Sequence, residues 1–153
     1  RIDLVALVDD NFMVGAGWNL LSPPLEPVTP DVTSVLADAG RTTHLLGGRL
    51  WGWSGAQLAV SDVMHGATGY WFYALHNETV NIRGVIPFTG RILLQPGWNL
   101  IGVSEQIAVP VIANAPAFWR WADNRFQNAT VLQPGRGYWV FVEDETVMDI
   151  VAP

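Results

Sequence analysis

The chain has 153 residues, a net charge of −6, and is half hydrophobic with only 14% charged residues. This composition excludes a disordered chain. An acidic balance in which all eight basic residues are Arg excludes the electrostatic footprint of a nucleic-acid or anionic-membrane binder. With no Cys, disulfides, thiolate metal sites and Cys nucleophiles are excluded too.

No apolar run approaches the roughly 20 residues of a membrane-spanning helix, so no membrane insertion is expected. Beginning at Arg1 rather than Met, the chain reads as a mature or excised segment. Residues 1 to 8 are apolar enough for a strand, and Asp9-Asp10-Asn11 predicts a turn. Gly17-Trp18-Asn19-Leu20 predicts the next strand, stopped by Pro23-Pro24. Thr29 as N-cap, Pro30 at the first position, Val32, Val35 and Leu36 at helical spacing and Gly40 at the end predict one short helix.

From Leu45 onward the pattern is β. Leu50 to Trp53 predicts a strand with both indoles on one face. Residues 57 to 64 predict another. Tyr70-Trp71-Phe72-Tyr73 is strongly β-prone, and Glu78 to Arg83 predicts its return strand in a hairpin across His76-Asn77.

The cassette then recurs, with Trp98, Trp119, Trp121 and Trp139 matching Trp18, Trp51, Trp53 and Trp71. All eight tryptophans fall into these pairs, which predicts an internal duplication. The spacing is 80 at Trp18/Trp98 and 68 from Trp51/Trp119 to Trp71/Trp139. The second copy is therefore shorter after its own helix start, with one helical turn expected at residues 110–114. Matching Glu78, Thr79 and Val80 to Glu145, Thr146 and Val147 gives 67, and predicts a final loop one residue shorter.

The expected fold is all-β, a mainly antiparallel sandwich or barrel with one short helix and pseudo-two-fold symmetry. Residues 1–153 are expected to form a single compact domain, with repeats at about 12–84 and 85–152 plus the N-terminal strand 1–8. No linker separates the halves, which argues for a shared core. The N-terminal strand has no partner inside the repeat; it closes the barrel or pairs with another chain.

Gly97-Trp98-Asn99-Leu100-Ile101, Trp119-Arg120-Trp121 and Pro134-Gly135-Arg136-Gly137-Tyr138-Trp139-Val140 resemble a repeat of secreted and cell-surface proteins of bacteria and archaea. The first copy departs from it, with Gly66-Ala67-Thr68-Gly69 in place of the Pro-Gly-x-Gly turn. The resemblance spans about residues 12 to 152. It implies a secreted or cell-surface, non-catalytic module and brings no catalytic residues or cofactor with it.

Trp18, Trp71, Trp98 and Trp139 are expected as core pillars, because duplicated positions usually repeat a packing role. Trp51, Trp53, Trp119 and Trp121 either brace their sheets or form flat platforms on which sugar C–H faces stack, as bases do on aromatic rings. Arg120, Asp123, Asn124, Arg125 and Gln127 follow in the second copy and are candidates to hydrogen-bond sugar hydroxyls, so the second copy is the expected binder. Two sequons begin at Asn77 and Asn128, a motif too short to carry weight. Asp9-Asp10 and Glu143-Asp144-Glu145 lack metal-loop spacing and read as solvated turns. His44, His65 and His76 form no ligand pair. Gly52-Trp53-Ser54-Gly55-Ala56 lacks the final Gly of a nucleophile elbow.

Two functions of different class follow. One is recognition of a polysaccharide through Trp residues. The other is a structural or adhesive surface or filament module, associating with itself or with neighbouring domains through strand edges.

Overall fold

A computed structural model describes residues 6–36, 46–87, 90–112, 114 and 116–149. The first half contributes β1 (Val8–Val14), β2 (Gly17–Ser22), β3 (Glu26–Pro27), helix α1 (Val32–Leu36), β4 (Trp51–Trp53), β5 (Leu58–Val60), β6 (Tyr70–Ala74) and β7 (Glu78–Val85). The second contributes β8 (Arg91–Leu94), β9 (Gly97–Ile101), β10 (Ile107–Ala108), β11 (Phe118–Ala122), β12 (Arg125–Asn128), β13 (Val131–Leu132), β14 (Gly135–Arg136), β15 (Tyr138–Val142) and β16 (Thr146–Asp149). Every strand pairing among the described residues is antiparallel. The fold is all-β with one short helix.

In the first half a β1-β7-β3 sheet faces a β14-β2-β6-β4-β5 sheet. Alternation along each strand sends one set of side chains between them. Phe12, Val14, Val80 and Ile82 from one sheet meet Leu21, Tyr70, Phe72 and Ala74 from the other, and Val35 and Leu36 of α1 plug the same core. In the second half the β8–β16 pair and the β12-β11-β15-β9 sheet do the same, with Leu94 and Met148 against Ile101, Phe118, Tyr138 and Val140. Each half thus has its own hydrophobic cluster, and β14 of the second half completes the sheet of the first.

Several expectations are corrected. Asp9-Asp10-Asn11 is not a turn: all three lie inside β1, opposite Arg83, Ile82 and Asn81. The strand that pairs with β7 opens only at Val8; of the strand expected at residues 1–8, residues 6 and 7 lie in no strand and residues 1–5 lie outside the described residues. The pairs β6/β7 and β15/β16 are not hairpins. Their short connections arch from one sheet to the other, because Phe72 and Val80 must meet from opposite sides of one core.

The helix is capped by Asp31, not Thr29. The Asp31 carboxylate accepts the Thr33 hydroxyl at 2.5 Å and the Ser34 N–H at 3.1 Å, and these bonds hold its pKa below the usual carboxylate range. Pro30 lies before the helix, where its carbonyl accepts the Met64 N–H. Gly40 lies outside the described residues. In the second half, residues 110–112 are not helical, and Asn114 adopts φ 66°.

The loop comparison also changes. Val14 faces Glu78 and Phe12 faces Val80, whereas Leu94 faces Thr146 and Ile92 faces Met148. The inward residues are Val80 and Met148. The register spacing is thus 68 through the last turn, and no residue is lost there.

The Gly-Trp-Asn stretches fold alike. Gly17 and Gly97 adopt φ 100° and 99°, a region that favours glycine. The Asn19 side chain accepts the Gly15 N–H at 3.1 Å and donates to the Gly15 and Gly17 carbonyls at 2.8 and 2.9 Å. Asn99 does the same with Gln95 and Gly97. Two buried tyrosines are tied in parallel fashion: the Tyr70 hydroxyl accepts the His65 N–H and the Tyr138 hydroxyl accepts the Gln133 N–H.

Candidate functional site: two aromatic faces and the hollows between them

Directly opposed residues of an antiparallel pair share a face. Trp18 opposes Tyr73, Leu20 and Trp51 oppose Trp71, and Trp53 opposes Leu58. In the other sheet Trp98 opposes Phe141, Leu100 and Trp119 oppose Trp139, and Trp121 opposes Phe126. All these residues point away from the two cores, and none of the eight indoles belongs to either hydrophobic cluster.

This corrects the expectation of core pillars. Trp71 and Trp139 are half-buried, and Trp18 and Trp98 are 44% and 43% exposed. The cause lies one residue on. Asn19 and Asn99 must turn inward to serve the glycine turn, and strand alternation then sends the preceding indole outward.

The two aromatic faces meet where the halves join, through reciprocal contacts. The Gly137 N–H donates to the Leu20 carbonyl at 3.0 Å, and the Gly69 N–H to the Leu100 carbonyl at 3.3 Å. Trp53 meets Trp139 edge-on at 5.1 Å, and Trp121 meets Trp71 edge-on at 4.9 Å. Glycine permits the close approach at this seam: a Cβ on Gly69 would stand 2.6 Å from Leu100 Cγ, which would have to move.

Equivalent indole pairs nevertheless pack differently. Trp18 lies flat on Trp71, 5.3 Å apart with planes 10° from parallel, while Trp98 stands nearly perpendicular to Trp139 at 6.2 Å. Phe126 sits where the first half has Leu58, and packs against both Trp71 and Trp121. The perpendicular arrangement leaves a cleft of about 440 Å³ walled by Trp53, Trp98, Trp119, Phe126 and Trp139. Its lining is almost entirely ring carbon. The Trp53 indole N–H is already donated to the Trp98 carbonyl at 2.8 Å.

Of the residues singled out in the sequence, Trp53 and Trp119 wall the cleft. Trp51 is half-buried beside Trp71, and Trp121 stands on the far side of Phe126. Arg120 and Gln127 are not with the indoles. They project from the opposite face of the β11–β12 hairpin and bond each other, Arg120 donating to the Gln127 side-chain oxygen at 3.1 Å, while the Gln127 amide is donated to the Ala122 carbonyl. Arg125 opposes Ala122 on that same face. Asp123 and Asn124 make the hairpin turn with φ 53° and 57° and line a second hollow of about 810 Å³, with Trp18, Asn77, Glu78 and Arg136.

Phe126, Trp98, Trp139 and Trp18 were missed as site residues. For Trp18 and Trp98 the signal was present in the inward amide of Gly-Trp-Asn, which sets the parity of β2 and β9.

Among the described residues, no three His, Asp or Glu side chains converge as metal ligands, and no helix is long and apolar enough to cross a membrane. Set against protein-family models, characterised proteins and solved structures, the chain shows no match.

Proposed function

We propose that the chain is a non-catalytic, extracellular recognition module that binds polysaccharide by stacking sugar faces on its indoles. The observation that carries this is the cleft walled by four indoles and Phe126, rings that neither hydrophobic cluster uses. Rings already fixed by edge-on packing offer stacking faces at little further entropic cost. The extracellular placement rests on the resemblance of the Gly-Trp-Asn-Leu … Gly-Tyr-Trp pattern. The test is quenching of Trp fluorescence by a panel of soluble glycans, with Trp119→Ala and Trp98→Ala as controls. Saturable quenching lost in both variants supports the reading; no response across the panel ends it.

A second reading, a structural or adhesive module, is favoured by one observation. β5 ends its sheet, and its outward residues Leu58 and Val60 are both exposed. An apolar edge strand is a template for another chain. Sedimentation should then show concentration-dependent association that Val60→Lys abolishes, and a monomer at all concentrations would reject it.

A further inference from the structure

The β11–β12 hairpin has a hollow on either side. One is the aromatic cleft, bounded by Trp119 and Phe126; the other is the larger groove, bounded by Trp121, Asp123 and Asn124. Trp121 and Phe126, with ring centres 5.0 Å apart, form the wall between them. The aromatic run continues from Trp121 through Trp71 to Trp18, which is exposed at the groove.

The two hollows differ in chemistry. The cleft offers rings and almost no polar atoms. The groove offers one exposed indole among side chains that can exchange hydrogen bonds with hydroxyls: Asn77, Asp123, Asn124 and Arg136. Several of these are held in place. The Asn77 side-chain oxygen accepts the Ala16 N–H at 2.8 Å, and Asp123 and Asn124 are fixed in a left-handed turn. A hollow combining one stacking ring with preset polar groups suits a sugar unit better than an apolar ligand.

We propose that the groove is an extension subsite: one glycan chain stacks in the cleft, crosses the Trp121–Phe126 wall and continues into the groove. The ligand is then an oligomer, not a monosaccharide. It is also uncharged. Among the described residues Asp123 lines the groove beside Arg136, Glu78 there is paired with His76, no charged group lines the cleft, and the whole chain carries −6. A chain of uronates would be repelled, most strongly at low salt.

This inference rests on the carbohydrate reading, and the experiment separates the two. The intact chain is titrated with a length series of neutral oligoglucosides and with an oligogalacturonate of matched length. The expected result is affinity that rises about tenfold or more with length, as one added stacked ring would give, and weak uronate binding at low salt. Trp18→Ala and Asn124→Gly, a substitution that the left-handed turn accepts, should keep the affinity for short oligomers and lose the gain with length. Trp119→Ala should lose both. Thermal unfolding of each variant reports folding separately. If both groove variants keep the full gain with length, or the uronate binds as tightly as its neutral counterpart, the extension is overturned and the cleft reading stands. If no oligomer binds at any length, the cleft reading falls and the extension with it.

Discussion

Trp53 and Trp98 come from different halves, yet the indole N–H of Trp53 is donated to the main-chain carbonyl of Trp98 at 2.8 Å. The bond spans the join between the aromatic faces and fixes one wall of the cleft. Trp53→Phe removes the donor and keeps a ring. The expected cost is about 1 kcal/mol, the usual net value of one hydrogen bond, with weaker glycan binding because the wall is freer to move. Urea unfolding followed by titration checks both. Unchanged stability and binding would show that the bond does not hold the wall.

Gly84 and Gly69 test two kinds of close approach. A Cβ on Gly84 would fall 2.0 Å from the Glu26 carbonyl oxygen, a backbone atom held in the β3–β7 pairing, whereas one on Gly69 would meet the movable side chain of Leu100 at 2.6 Å. Gly84→Ala is expected to cost about 3 kcal/mol or more and Gly69→Ala about 1–2. Chemical denaturation ranks them; the reverse order would contradict the packing.

Asn19 is 6% exposed and makes three hydrogen bonds with the turn before it. Asn99 makes the same three but is less buried. Asn19→Ala removes three hydrogen bonds made from a buried side chain and should cost about 1–2 kcal/mol, more than Asn99→Ala. Equal losses would mean that burial does not set the difference.

Burial pushes the pKa of the Tyr70 and Tyr138 phenols above its ordinary value near 10.0. A group whose folded pKa is raised contributes stability that is fully present below the unfolded pKa and lost as pH rises through the folded one. Urea midpoints should therefore hold steady up to about pH 10 and fall above it. The double variant Tyr70→Phe, Tyr138→Phe starts lower, having lost two hydrogen bonds to backbone N–H groups, but should fall less steeply. An equally steep fall would place the alkaline loss elsewhere.

Much of this was legible in the sequence, for identifiable reasons. Alternation alone puts Trp51 beside Trp53 and Trp119 beside Trp121 on one face, because it follows from backbone geometry. What stayed hidden were choices made at a distance. Asp9-Asp10-Asn11 has the composition of a turn, but it is the exposed end of a strand whose register Phe12 and Val14 set from the core: Asp9 and Asn11 lie on its solvent face and Asp10, opposite Ile82, at the open edge of its inner face. Whether Tyr70–Ala74 and Glu78–Val85 pair or face each other depends on which sheet receives each strand, and the short connection Leu75-His76-Asn77 suits either. Arg120 was grouped with its neighbours in sequence, although strand parity separates it from both indoles beside it.

The reciprocal seam between Gly69/Leu100 and Gly137/Leu20 has a consequence for how the chain tolerates being cut. Each half carries its own hydrophobic cluster and presents a face that fits the other half's like one hand clasping another. A backbone severed between β7 and β8 would leave two fragments with matching clasps. Mixed together, they should reassemble into the intact fold, and the first half, left alone, should clasp a second copy of itself.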